Sequence, residues 1–343
     1  MILELQHLEQ INQKLEITPQ ISRRELLEMN IIQESQDSVF RVGAPEGKAQ
    51  QLPFEKLYLP MAYTGVLEPK KSVDETHRAI QILLPGTGTT FSVAQTLCDV
   101  AGTFHGRKSK NRGRDRKSSQ SLLQQLLPEG QNFRVASFPT DLPLNGMGDA
   151  APWEFASEMG LITLLRHVHL VLAHLYPDRP VFMAGRSQGG VASILYAQHY
   201  ADLAGAIAVN PPHPDPELFQ FTVEYLEGKA NILADLLHVP GVNLHEKSWN
   251  AYKTFTPAFN YPSRPLLSPL LNLVSLGDPF NLFPQYAEKL QEFADNDEKC
   301  DLQILDAGHN LWSRKEAETY QIVIKLQIEF IWAQLSSAKD KEQ

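Results

Sequence analysis

Residues 181–190 read VFMAGRSQGG. The stretch opens as a short apolar, β-prone run. It then turns through Gly185, Arg186, Ser187, Gln188 and Gly189, and a helical pattern follows at 191–200. A serine held at the tip of a sharp strand-to-helix turn has its hydroxyl exposed, but the turn strains the backbone and crowds its neighbours. Glycine two residues before and two after removes the side chains that would clash. The helix behind the serine aims its N-terminal N–H groups and its dipole at the same spot, where they favour negative charge. Ser187 is therefore the candidate nucleophile.

The texture around this turn extends the reading. Short apolar runs at 79–84, 133–138, 205–209, 271–276 and 302–305 accompany the one at 181–184. Helical patterns lie between most of them. The clearest spans 153–176, with Phe155, Met159, Ile162, Leu165, Val168, Leu172 and Leu175 on one stripe. A final helix is expected over 314–335, carried by Tyr320, Ile324, Ile328, Ile331 and Leu335. Buried strands alternating with helices predict an α/β fold: a mostly parallel central sheet with helices on both faces. Residues 1–36 read as a helical lead-in, and 38–42 and 54–59 as early antiparallel strands.

Two stretches break the alternation. Residues 105–118, HGRKSKNRGRDRKS, hold seven Lys or Arg against one Asp, a local charge of +6. They read as a solvated loop; the alternative is an anchor on an anionic membrane face or a docking segment for an acidic partner. Residues 211–265 begin with PPHPDPE and end with NYPSRP, and their proline-marked borders suggest an insertion. The resulting division is 1–78 for the lead-in and early strands, 79–210 for the first part of the core, 211–265 for the insertion, 266–335 for the second part, and 336–343 for a disordered tail.

The bulk numbers narrow the function. The chain has 343 residues, 43% apolar and 21% charged, which suits a soluble globular protein with a substantial core. A net charge of −9 argues against a nucleic-acid binder. The two cysteines, Cys98 and Cys300, form no metal-ligand spacing, and so few suit a reducing compartment, although a disulfide between them stays open. The first residues, MILELQHLEQINQ, lack the pattern of a signal peptide, and no run is long and apolar enough to span a membrane. A cytoplasmic protein is expected, its oligomeric state undetermined by the sequence.

A serine hydroxyl needs an imidazole to take its proton, and the imidazole needs an acid to orient it. His309 lies in DAGHN, residues 306–310, directly after the run 302–305 and before the last helix. His213, at the lip of the insertion, is its rival. Asp278 lies in SLGDP, residues 275–279, directly after the run 271–276, with Asp215 and Glu217 as runner-up acids.

From about residue 79 to 335 the chain resembles an α/β-hydrolase. The resemblance rests on AGRSQGG, on LLPGTGTT after an early strand, on SLGDPF after a late one, and on DAGHN after the last, in the order serine, acid, histidine. It implies an eight-stranded, mostly parallel sheet and a Ser187–His309–Asp278 triad. The oxyanion hole would use the N–H of Gln188, the residue after the nucleophile, and by resemblance that of Thr87. Many relatives have His-Gly where this chain has Pro85 and Gly86. The resemblance also makes 211–265 a helical lid offering Phe219 as apolar lining, and brings Met147 and Gly86 to the substrate pocket. It implies hydrolysis of a small-molecule carboxylic ester or thioester, with a hydrophobic acyl group preferred and no metal or organic cofactor. A peptidase or acyltransferase on the same residues, and a non-catalytic binding module, remain open.

Overall fold

The computed structural model describes residues 23–28, 32–34, 39–42, 64–69, 73–86, 134–140, 142, 158–211, 264–277, 284–308 and 317–340. Its centre is a sheet of six parallel strands: β4 (His77–Leu84), β5 (Arg134–Pro139), β6 (Val181–Arg186), β7 (Gly205–Val209), β8 (Leu270–Gly277) and β9 (Cys300–Gly308), in the order β5-β4-β6-β7-β8-β9. Each of the six apolar runs from 79 to 305 expected to be a strand is one. Residues of β4 to β7 and most of β8 are buried on both faces because helices cover both, whereas the edge strand β9 is partly exposed.

Alternate residues serve opposite layers. Ile80, Ile82, Met183, Ala206 and Val274 face α2 (Glu158–Leu175) and α3 (Gln188–His199), which contribute Leu165, Val168, Leu172, Val191 and Ile194. Leu290 and Phe293 of α4 (Pro284–Asn296) join this layer. Ala79, Leu83, Phe182, Ile207 and Leu273 face α5 (Ala317–Asp340), met by Val323, Ile324, Ile328 and Ile331. At Gly205 the ring of Phe330 packs so close that an added Cβ would stand 2.9 Å from it. Each such leucine or isoleucine removed from water contributes roughly 1.5–3 kcal/mol, so the two layers hold the sheet from either side.

Two departures from the sequence reading lie at the ends of the chain. The lead-in is helical only in part: α1 (Arg23–Glu28) is a helix, but Ile32–Glu34 is strand β1. It pairs antiparallel with β2 (Val39–Val42), which pairs with β3 (Thr64–Leu67). Cross-strand partners such as Ile32 and Val42 override the local helical spacing. A bridge between Val66 and Thr140 sets this small sheet beside β5. The strand expected at 54–59 lies outside the described residues. The expected disordered tail is helix as far as Asp340, because α5 propagates from the turns anchored by buried Val323, Ile324, Ile328 and Ile331 through Ser336, Ser337 and Ala338, and propagation is favourable once a helix is nucleated.

The basic segment 105–118 and residues 212–263 of the expected lid lie outside the described residues. Among the described residues, no helix is long and apolar enough to cross a membrane.

Candidate active site

The strand order reverses at the centre of the sheet. The chain leaves β4 outward to β5, then returns past β4 to build β6. In open α/β sheets the crevice at such a reversal, beyond the carboxyl ends of the strands, is where ligands bind. Here it lies between the ends of β4 and β6.

The end of β6 is the turn that the glycine pattern anticipated. Ser187 has φ 53° and ψ −119°. For a residue carrying a Cβ, that conformation costs roughly 1–3 kcal/mol and persists only where the surroundings impose it. They do so with main-chain bonds on each side. Its N–H donates to Val209 O at 2.9 Å, continuing the β6–β7 ladder, and its carbonyl accepts from Val191 N–H at 3.1 Å, opening α3. One residue thus ends a strand and starts a helix, which leaves its side chain at the tip.

The glycines make the turn possible. A Cβ on Gly185 would collide with the main chain of Gly189, and one on Gly189 with that of Leu84 at the end of β4. Gly189 also receives the Ser193 hydroxyl on its carbonyl at 3.0 Å. Gly86, two residues beyond β4, runs past this serine: its added Cβ would stand 3.2 Å from Ser187 Cβ and 3.8 Å from Ser187 Oγ. Gln188, buried to 1%, is the first residue of α3. The structure therefore brings Ser187, Gln188 and Gly86 together.

Thr87, Met147, Phe219, Asp278 and His309 lie outside the described residues, as do His213, Asp215 and Glu217. What the described residues give is the place where two of those segments begin. β8 and β9 are adjacent and in register at Gly277 and Gly308, and Ser275 pairs with Leu305. Asp278 and His309 are the next residues in the sequence. Both strands end on the same sheet edge as β6, with β7 between β6 and β8.

Cys300 is no rival to the serine. Burial, with Asp297 and Asp301 beside it, pushes its thiol up to about 12, so the reactive thiolate is scarce at neutral pH. Among the described residues no group of His, Cys, Asp and Glu is arranged to hold a metal ion.

Two features escaped the sequence reading. Asn210, directly after β7, is buried and has φ 47°; an asparagine between a strand and a proline was its only signal. Beneath α3, Arg166 of α2 holds Asp202 through two contacts of 2.7 Å and lies 4.3 Å from the Tyr200 ring centre. The Tyr196 hydroxyl joins it, 3.3 Å from Arg166 Nη1 and 2.7 Å from His169 Nδ1. This cluster fastens α3 to α2 from below.

A parallel sheet of this order, covered on both faces and bearing a strained serine turn after its central strand, defines the α/β-hydrolase fold. The chain superposes on the α/β-hydrolase GrgF from Penicillium sp. sh18 with a TM-score of 0.51 at 14% identity, over 89% of this chain and 98% of that one. The enol-lactonase from Burkholderia xenovorans LB400 gives 0.48 at 16% identity, over 77% and 96%. The acylaminoacyl peptidase of Pyrococcus horikoshii gives 0.47 at 13% identity; 88% of this chain is covered but only 41% of the peptidase. No family model matches the sequence, and no curated protein does.

Proposed function

We propose that the protein is a serine hydrolase that cleaves a carboxylic ester or thioester of a small molecule. The observation that carries this reading is the backbone of Ser187, held at φ 53° and ψ −119° between β6 and α3 with Gly86 pressed against it. Strain of this kind collects at functional sites, and here it serves to expose one hydroxyl.

In the proposed mechanism His309 accepts the Ser187 proton as the serine oxygen attacks the substrate carbonyl. Asp278 holds the imidazole in the productive tautomer and stabilises its charged form. The main-chain N–H groups of Gln188 and Thr87 receive the oxyanion, with the N-terminus of α3 adding its dipole. His309 then gives its proton to the leaving alcohol or thiol. Water, deprotonated by the same imidazole, releases the acid from Ser187. The register of Gly277 with Gly308 supports the pairing of Asp278 and His309, since both follow directly. Gly86, Met147 and Phe219 are assigned to the pocket, whose apolar residues favour a hydrophobic acyl group.

The test is labelling by a serine-reactive fluorophosphonate together with hydrolysis of p-nitrophenyl esters of increasing chain length. Wild-type protein should label and hydrolyse. Ser187→Ala should do neither, and His309→Ala and Asp278→Asn should lose on the order of 10³-fold or more in kcat. Equal labelling of Ser187→Ala and wild type would dispose of the proposal.

A further inference from the structure

The carboxyl edge of the sheet carries a buried polar side chain that this chemistry does not use. The β7–β8 ladder is regular from Ala206 and Leu270 to Val209 and Leu273. The main-chain N–H of Asn210 continues it, donating to Leu273 O at 2.8 Å. In an unbroken parallel ladder the next bond would run from Ser275 N–H to the main-chain carbonyl of Asn210. At Asn210, however, the backbone turns into the left-handed region, φ 47°. Ser275 N–H donates instead to the side-chain Oδ1 of Asn210, at 2.8 Å. The carboxamide has taken the place of a main-chain carbonyl, and the ladder runs one rung further than the strand.

On the other side of β7, Ser187 N–H donates to Val209 O at 2.9 Å. Three successive rungs therefore connect the serine turn to Ser275: Ser187 to Val209, Asn210 to Leu273, and Ser275 to the Asn210 side chain. Asp278 is three residues beyond Ser275. The nucleophile helix presses on the same turn, since a Cβ on Gly190 would stand 3.3 Å from Val209 O and 3.4 Å from Pro211 Cα.

We infer that Asn210 is a positioning residue: its carboxamide fixes the end of β8, and with it the start of the segment that carries Asp278, relative to the Ser187 turn. The position demands two properties at once, tolerance of positive φ and a short side chain that ends in a carbonyl. Asparagine and aspartate have both. Glycine has only the first, and serine is too short to replace the bond.

The structural half of this inference stands alone; its catalytic half rests on the proposed triad. Two measurements on the full chain separate them. In Asn210→Gly, hydrogen exchange at the Ser275 amide should quicken about tenfold or more while core amides of β6 stay protected. The kcat for an activated ester should fall on the order of tenfold with KM little changed, because the triad is displaced and binding is not. Asn210→Asp should restore both, and Asn210→Ser should behave as the glycine variant and replaces it if the latter folds poorly. Unchanged protection of Ser275 in Asn210→Gly and Asn210→Ser overturns the staple. Loss of protection with kcat intact overturns the catalytic role. If the wild type hydrolyses no ester, the proposed function fails, and the exchange measurement still decides whether Asn210 holds β8.

Discussion

Gly86 passes Ser187 with room for a hydrogen but little more: a methyl group in its place would stand 3.2 Å from the serine Cβ and 3.5 Å from Arg186 O. The loop after β4 and the turn after β6 are thus packed main chain to main chain. Gly86→Ala should fold, at a cost of about 1 kcal/mol, since a displacement of a few tenths of an ångström relieves the contact. That displacement falls on the proposed nucleophile, Ser187, and on the loop proposed to supply Thr87. Ester hydrolysis should drop on the order of a hundredfold. Paired melting and rate measurements check this; a variant with wild-type kcat would show that the close approach has no catalytic meaning.

Gly185 and Gly189 predict the opposite balance. Here an added methyl meets main chain that cannot move: one on Gly185 would stand 2.8 Å from Gly189 Cα, and one on Gly189 would stand 2.7 Å from the Leu84 carbonyl carbon. Gly185→Ala and Gly189→Ala should each destabilise the fold by about 3 kcal/mol or more. Gly190→Ala, whose nearest contacts are 3.3 Å, should cost only about 1 kcal/mol. Urea denaturation of the three variants gives the ranking, and a reversed order would refute the steric account of the turn.

The central sheet and the Ser187 turn were legible because their signals are local. Six apolar runs bounded by turns became six strands, and the glycine spacing about Ser187 became the turn it implies, with Gly86 and Gln188 beside it. What stayed hidden depends on partners far away in sequence. Asn210 acquires its role only from Ser275, across the long β7–β8 crossover. β1 and β3 are too short to show a pattern of their own and exist through antiparallel pairing. Arg166 sits within a helix otherwise read as a simple apolar stripe, and its burial makes sense only once Asp202 is found beyond the next strand and helix. The spacing of Ser187, Asp278 and His309 supplied candidates, not distances.

The Arg166–Asp202 pair should respond unequally to loss of either member. The Arg166 side chain is 1% exposed and that of Asp202 24%. Asp202→Ala strips the carboxylate from a guanidinium that water does not reach, which costs about 3–5 kcal/mol. Arg166→Met fills the same volume and leaves the carboxylate at the surface, where water solvates it; about 1–2 kcal/mol is expected. Chemical denaturation at neutral pH measures both. Equal losses, or a larger one for Arg166→Met, would contradict the burial argument.

The same cluster makes stability depend on acid. Burial lowers the pKa of His169 to about 4; Asp202 opposes the shift and Arg166 adds to it. The unfolded chain takes up this proton near 6.5, the ordinary histidine value, whereas the folded protein holds the ring neutral until about 4. Between those limits the unfolded state binds more protons, so stability present above pH 6.5 is lost as the pH falls toward 4, by about 3 kcal/mol for this group. His174, also lowered by burial, acts in the same direction. Asp74, lowered to about 2 chiefly by its bonds to Thr76, loses its contribution only at lower pH and does not confuse the window. His169→Gln should begin less stable at pH 7, having lost the 2.7 Å contact with the Tyr196 hydroxyl, yet decline less steeply from pH 7 to pH 4. Parallel slopes for variant and wild type would mean that His169 is charged in the native protein, and the buried cluster would then have to be redrawn around an imidazolium.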